Sequence, residues 1–394
     1  MAKSINVCLV GQKFMGRTHS NAYLKLNKYF DLALEPVMHT LVARDKAELE
    51  AFAKRWGWAN SSTDWKSTFQ NPEIGLIDIG VPNNAHAELT IAALEAGKHV
   101  ACEKPLANTL EAARQMRDAA RKARKQQTFV WYNYRRVPAV ALAHQLVKEG
   151  RLGRIYHVRG YYLQDWAGPD VPLIWRFQKK VAGSGSHGDL NAHIIDMARF
   201  ITGEEIAEVT GAVMETFVNH RVIPSRGSTG GISGGAKGSA QKGKSDVDDA
   251  VLFVGKMSGG AVCSFEATRF ATGYQNKNGV EVHGEKGAIS FNFEDMNYLQ
   301  WCDNTVPARL RGWTRIPTTG GDHPWVGAYW PPAHIIGYEH TFMNQAADML
   351  NSLGGRKPIV PIPDFEDAYT TQRVLEAVSV SVKERCAVKV NDIK

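Results

Sequence analysis

Long apolar runs are missing from this chain. No stretch of its 394 residues reaches the ~18 apolar residues of a membrane-spanning helix, and no hydrophobic leader precedes the first predicted strand. Cysteine is scarce. The five thiols, at 8, 102, 263, 302 and 386, are odd in number and form no C-x-x-C pair, which excludes a disulfide framework and a thiolate zinc site. The 13 histidines contain no H-E-x-x-H, so no metal is expected. Blocks of like charge are absent too. The formal charge of +7 is scattered, and its densest run, "RKARKQQ" at 121–127, reads as the solvated end of a helix. No nucleic-acid motif accompanies it; an anionic cofactor or substrate accounts for the basic excess. The expectation is therefore a reduced, cytoplasmic, globular protein, with neither membrane nor nucleic acid among its partners.

What is present is organised in two textures. The chain is long for one core, so two domains are the expectation. Over the first ~125 residues short apolar runs alternate with helical stretches, the rhythm of a doubly wound parallel sheet. "INVCLVG", "EPVMHTLVARD", "IGLIDIGVP", "HVACEKP" and "TFVWYNYRR" read as its strands. The third is apolar enough to be buried on both faces. Beyond residue 150, runs such as "GRIYHVRGYYL", "DAVLFVGKMSGGAVCSFEATRF" and "NGVEVHGEKGAISFNF" predict an α+β domain on an open, largely antiparallel sheet. A helix, "GDLNAHIIDMARFITG", interrupts them. The Gly-, Ser- and Lys-rich stretch 226–246 is expected to be a mobile loop. The late "FEDAYTTQRVLEAVSVSVKE" has helical periodicity and is expected to return to the first domain.

The stretch "CLVGQKFMGRTHS" at 8–20 almost matches G-x-G-x-x-G. Gly11 would make the tight turn and Gly16 would let helix and strand pack closely, but Lys13 stands where a second glycine normally admits a pyrophosphate. A negative φ would accommodate Lys13, and its ammonium would suit a phosphate oxygen. The strand–turn–helix context supports a dinucleotide turn, with Lys13, Phe14 and Met15 between the glycines. At the end of the second strand "VARDK" offers both Arg44 and Asp45. An arginine there would favour NADP, an acid NAD, and either residue would equally serve as a helix cap or solvent side chain. The cofactor is therefore expected to be NAD or NADP.

Three further stretches carry a resemblance. "CEKPLA" at 102–107 ends the fourth strand, "GVPNNAHAE" at 80–88 follows the third, and "GSGSHGDLNAHIID" at 183–196 sets Asp189 and His193 four residues apart on one helix face. Together they resemble the glucose–fructose oxidoreductase/inositol dehydrogenase (Gfo/Idh/MocA) family. The resemblance implies an NAD(P)-binding Rossmann domain over 1–130 and a substrate and oligomerisation domain over 131–394. It implies a catalytic group of Lys104, Asp189 and His193, with hydride passing between nicotinamide and a sugar or cyclitol carbon. It also implies that Pro82, Asn83, His86, Glu103 and Lys104 join the turn in holding the cofactor. His193 suits the base that must take the hydroxyl proton, Lys104 the group that polarises the oxygen, and Asp189 an orienting or relaying partner. The cleft between the domains is where the three are expected to converge.

"WYNYRR" (131–136), "YYLQDW" (161–166) and "LIWRFQKK" (173–180) mix aromatic faces with planar polar groups, the combination that holds sugars. Asn133, Tyr134, Arg135, Gln164, Trp166 and Arg176, with Asp189 and His193, are the expected substrate contacts. His323, Trp325 and His334 are candidates for its rim. These segments resemble a sugar-dehydrogenase branch of the family, which implies oxidation of a pyranoside or anhydrosugar at the third ring carbon. Alternatives are a cyclitol dehydrogenase, a glycosidase or lyase using NAD transiently, and a dinucleotide sensor without turnover. The open sheet would expose a broad apolar face, so a homodimer or homotetramer is expected, as in relatives.

Overall fold

The fold is a computed structural model that describes residues 3–224 and 238–394, without the side chains of 238–240. It divides into two compact units. The first comprises Met1–Arg136, Ala328–Trp330 and Ile336–Tyr369; the second comprises Val137–Gly327, Pro331–Ile335 and Thr370–Lys394. Both are thus discontinuous; the expectation was a boundary at residue 130 with the late helix returning to the first domain.

The first unit is wound on β1 (Ser4–Val10), α1 (Phe14–Tyr29), β2 (Glu35–Val42), α2 (Lys46–Trp56), β3 (Asn60–Ser62), α3 (Trp65–Gln70), β4 (Ile74–Ile79), α4 (His86–Glu95), β5 (His99–Cys102), α5 (Leu110–Lys122) and β6 (Thr128–Val130). The six strands are parallel in the order β3-β2-β1-β4-β5-β6. The chain winds from β1 to β2 on one side and returns to β4 on the other. That reversal opens a crevice at the carboxyl ends of β1 and β4, where doubly wound sheets take their ligands. Helix boundaries follow local chemistry. Asp45 caps α2, and Gly57 ends it in the left-handed region at φ +80°. Thr109 caps α5.

The second unit opens with α6 (Pro138–Lys148), β7 (Ile155–Leu163), α7 (Lys179–Ala182) and α8 (Ala192–Thr202). Strands β8 (Ile206–Glu215), β9 (His220–Pro224), β10 (Gly238–Lys244), β11 (Ala250–Met257), β12 (Val262–Thr268), β13 (Lys277–Gly284), β14 (Gly287–Asn292), β15 (Tyr298–Asp303) and β16 (Thr314–Pro317) follow. Helix α9 (Tyr338–Leu353) belongs to the first unit, α10 (Phe365–Glu384) begins in the first and continues in the second, and strand β17 (Val388–Lys389) closes the chain. A nine-stranded sheet runs β16-β15-β14-β13-β7-β12-β11-β8-β17. Its described pairs are antiparallel except β7 with β12. All of α8 is buried, and Gly160 of β7 lets it approach the sheet: a Cβ there would lie 2.6 Å from Phe265 and 3.3 Å from Ile194.

One expectation needs correction. Residues 226–237 of the Gly/Ser/Lys stretch lie outside the described residues, but 238–244 form β10, paired antiparallel with β9. Low apolar content removes the burial that usually drives a strand. Cross-strand hydrogen bonding supplies a ladder without it.

Candidate active site

The glycine turn lies in the first unit. Gly11 sits at φ +124°, and a Cβ there would stand 2.4 Å from the Gly80 carbonyl oxygen, at the end of the neighbouring β4. A Cβ on Gly16 would stand 2.4 Å from the Gly11 carbonyl oxygen. Both glycines are therefore required by geometry. Lys13 has φ −86° as the N-cap of α1, which any L-residue adopts, so the missing middle glycine is no obstacle. The N-terminus of α1 thus stands open at the switch point with no acidic residue in its first turn, an arrangement that fits a pyrophosphate. The Lys13 ammonium pairs with Glu48 of α2, which also accepts a hydrogen bond from Gln12 Nε2 at 3.0 Å. Phe14 stacks parallel to Tyr338 of α9 at 6.3 Å, and Met15 faces Gly80.

Arg44 is exposed at the end of β2. Asp45, by contrast, accepts the Glu48 backbone N–H at 3.0 Å through Oδ1, so its carboxylate is used as a helix cap. Pro82 and the buried Asn83 begin a short turn after β4. His86 was expected to touch the cofactor, and here the structure differs. Its ring is fully buried, with Nδ1 3.1 Å from the Pro105 carbonyl and Nε2 3.0 Å from that of Val81. Burial pulls its pKa down. It braces the loop after β4 against the loop after β5.

Glu103 and Lys104 leave β5 beside that brace. Glu103 is buried, and its Oε2 accepts the Lys104 backbone N–H at 3.1 Å; Lys104 is half-buried. Two expected sugar contacts in this unit turn out to be anchors. Asn133 Nδ2 donates to Thr341 of α9 at 2.8 Å, and Arg135 forms a 2.5 Å ion pair with Asp367 of α10. Both side chains are buried, as is Tyr134. A polar–aromatic run at a strand end looks like a binding surface in sequence, but a returning helix pair covers this one.

A separate group of candidate side chains lies in the second unit. The turn 183–191 leads into α8 and is wound wide, as a π-helix, over His187–Asn191. Such turns recur at functional sites. The Asp248 carboxylate shapes it by accepting the backbone N–H groups of Gly185 at 2.6 Å and His187 at 2.8 Å. A Cβ on Gly185 would lie 1.7 Å from the Asp248 carbonyl oxygen. Asp189 projects from this turn between two guanidinium groups, 3.9 Å from Arg176 Nε and 3.7 Å from Arg269 Nη1. Arg269 is fully buried and lies over Trp166 and Phe177. His193 stands four residues on, in the first turn of α8, with the Tyr162 ring 6.0 Å away.

Tyr162 donates to Asn276 Oδ1 at 2.8 Å, as does Gln164 Nε2, and Gln164 Oε1 accepts from Trp166 Nε1 at 2.7 Å. The structure therefore gathers Gln164, Trp166 and Tyr162 into one network, and sets Arg176 beside Asp189. His187, the nearest competitor of His193, is excluded as a base: Leu375 O and Asn191 occupy its two nitrogens, and burial lowers its pKa. Of the rim candidates, His334 is exposed and His323 half-buried, whereas Trp325 is buried at φ +64°. Sequence reading missed Arg269 and Asn276, which no local pattern marks. It also missed Asp78, whose signal was visible: a carboxylate inside the apolar run "IGLIDI". Among the described residues no cluster of three metal-ligating side chains occurs, and no helix is long and apolar enough to cross a membrane.

Residues 5–132 match the model of an oxidoreductase family with an NAD-binding Rossmann fold, and residues 140–290 match the GFO/IDH/MocA C-terminal domain. The chain is 42% identical over 396 residues to a levoglucosan dehydrogenase of Pseudarthrobacter phenanthrenivorans, covering 99% of each. A levoglucosan dehydrogenase solved in complex with NADH and levoglucosan superposes with a TM-score of 0.90 at 39% identity, covering 98% of this chain and 99% of that one. A D-glucoside 3-dehydrogenase of Escherichia coli is 30% identical over 200 residues, 50% of this chain and 54% of the relative. With both of its halves matched and the dinucleotide cradle formed, the chain belongs to the Gfo/Idh/MocA family of NAD-binding oxidoreductases.

Proposed function

We propose that this enzyme is a sugar dehydrogenase that oxidises a secondary hydroxyl, at C3 of a pyranoside or anhydrosugar, to a ketone. The observation that carries the reading is the set of side chains that the second unit holds besides His193. An imidazole, a carboxylate flanked by two guanidinium groups, an amide and two aromatic faces are assembled within one unit. Aromatic faces suit sugar C–H surfaces, and planar amides and carboxylates suit adjacent hydroxyls. The likeness to a levoglucosan dehydrogenase over the whole chain, and to a glucoside 3-dehydrogenase over half of it, supports the substrate class and the carbon.

In this reading Gly11, Lys13, Phe14, Met15, Gly16, Pro82, Asn83 and Glu103 form the dinucleotide site, with Arg44 beside the ribose. The bound nicotinamide would accept the hydride. His193 takes the hydroxyl proton, and Lys104 serves the same oxygen by stabilising the charge that develops on it. Asp189 orients the substrate and His193, kept in place by Arg176 and Arg269. Gln164, Trp166 and Tyr162 grip the remaining hydroxyls. Incubation with a panel of anhydrosugars, glucosides and inositols, with NAD⁺ or NADP⁺, should give reduced cofactor and a C3 ketone detectable by carbon NMR. Turnover of inositols alone, or a ketone elsewhere on the ring, would reject the assignment. Bond cleavage without accumulated NADH would point to transient oxidation instead.

We also propose that a second copy of the chain covers the outer face of the nine-stranded sheet. Val213 opposes Leu252 there, and Val213, Leu252, Val254 and Val262 are each at least half exposed. A contiguous apolar face of this kind is rare on a soluble monomer. Light scattering at micromolar concentration should give a dimer or tetramer, and Leu252→Asp/Val254→Asp should dissociate it. A wild-type monomer would refute the assembly.

A further inference from the structure

We infer that His19 is a positioning residue for Glu103 and Lys104, acting as an imidazolium clamped between Asp78 and Glu103. The inference rests on the role proposed above for Lys104. His19 lies in α1, three residues beyond Gly16, and is fully buried. Its Nδ1 is 3.0 Å from Asp78 Oδ2 and its Nε2 is 3.1 Å from Glu103 Oε1. Ionised carboxylates accept hydrogen bonds and cannot donate them, and a neutral imidazole has a single N–H. A neutral ring between two carboxylates would leave one buried contact without a proton. The imidazolium satisfies both.

Asp78 is otherwise saturated by donors. Tyr23 O–H reaches its Oδ2 at 2.9 Å, and Trp131 Nε1–H reaches its Oδ1 at 2.8 Å. The Trp131 ring also lies 4.3 Å from the His19 ring, with Phe342 5.7 Å away, so aromatic faces close over the cation. Tyr23, Cys8 and Cys102 are kept neutral, their pKa values pushed up chiefly by burial. His86, which also faces Glu103, is kept neutral as burial pulls its pKa down. For His19 burial likewise works against the charge. The Asp78 carboxylate, the hydrogen bond to it, and Glu103 outweigh burial and push the pKa up to about 9.

The consequence runs through Glu103. One of its oxygens is held by His19 and the other accepts the Lys104 backbone N–H. Together they fix where the chain carrying Lys104 leaves β5. A group whose pKa is raised on folding stabilises the fold fully below its unfolded value, ~6.5, and that contribution is lost as pH rises through about 9. An alkaline limb near pH 9 is therefore expected in turnover.

Histidine-labelled wild-type protein tests the charge directly. One imidazole resonance, lost in His19→Gln, should be protonated at pH 7.5 and titrate near 9. A neutral His19 at pH 7.5 overturns the inference, whatever the substrate is. Kinetics test the positioning. In His19→Gln both donors sit on one uncharged nitrogen and cannot span the two carboxylates as the imidazolium does, so turnover should fall ~10–100-fold, the scale of an ångström-sized misplacement. Sugar KM should stay within about threefold, and the limb near pH 9 should shift. Wild-type turnover in a folded His19→Gln overturns the inference. If that variant does not fold, His19→Gln/Asp78→Asn removes one of the two buried carboxylate charges left without the cation and is read in the same way. If neither folds, the resonance decides. Wild-type protein that oxidises no sugar sinks the functional proposal instead and leaves the resonance test standing.

Discussion

His193→Ala is expected to lower turnover ~10²–10⁴-fold, the usual contribution of a positioned general base. Dinucleotide affinity should stay within about twofold of wild type, because His193 and the glycine turn belong to different units. His193 sits in the first turn of a helix whose every residue is buried. Truncation therefore also leaves a cavity, and a stability loss must be separated from a chemical one. His193→Asn, which keeps most of the volume, is the control: it should melt close to wild type yet remain slow. The loss should appear in kcat and kcat/KM together, as expected when an interaction is made chiefly in the transition state. The assay follows reduced-cofactor absorbance with the sugar panel. Near-normal turnover of His193→Ala on every active substrate would return this histidine to a structural role, and the mechanism proposed above would fall with it.

Gly11→Ala is expected to damage the cofactor site itself. At φ +124° an alanine is strained before any neighbour is considered, by ~1–3 kcal/mol. Its Cβ would also lie 2.4 Å from the Gly80 carbonyl oxygen. Because that atom is backbone, relief requires β1 and β4 to move apart at the crevice. For a unit of this size the strain alone corresponds to a fall in Tm of roughly 2–12 °C. Calorimetric titration with NADH and NADPH should show at least about a tenfold loss of affinity for whichever the wild type prefers. The two titrations on wild type also settle the choice that Arg44 and Asp45 leave open in the sequence. Asp45 is occupied as a helix cap, which leaves Arg44 as the charged group exposed at the strand end. An alanine variant that binds dinucleotide with wild-type affinity would mean that the turn is not the pyrophosphate site.

Much of the molecule was determined by the sequence alone, and the parts that were legible share a physical character. The alternation of strand and helix in the first unit, the glycine turn and the cap of α2 depend on residues only a few positions apart. Their signals are the period of apolar side chains and backbone conformations that only certain residues adopt. Lys13 illustrates the strength of that logic, since a negative φ was the one condition for dispensing with the middle glycine, and the chain meets it. The π-turn that carries Asp189 was not legible in its spacing from His193.

Tertiary structure alone decided which polar groups are spoken for. Asn133 and Arg135 read as sugar contacts until partners 208 and 232 residues away bury them. His86 reads as a cofactor ligand until carbonyls from two loops occupy its nitrogens. Arg269 gave no local sign of standing beside Asp189, and His19 none of joining carboxylates 59 and 84 residues distant. The reason is general. Backbone conformation and periodicity are short-range properties written into neighbouring residues. The fate of a charge depends on what covers it, and burial makes an unpaired one so costly that distant segments must supply its partner.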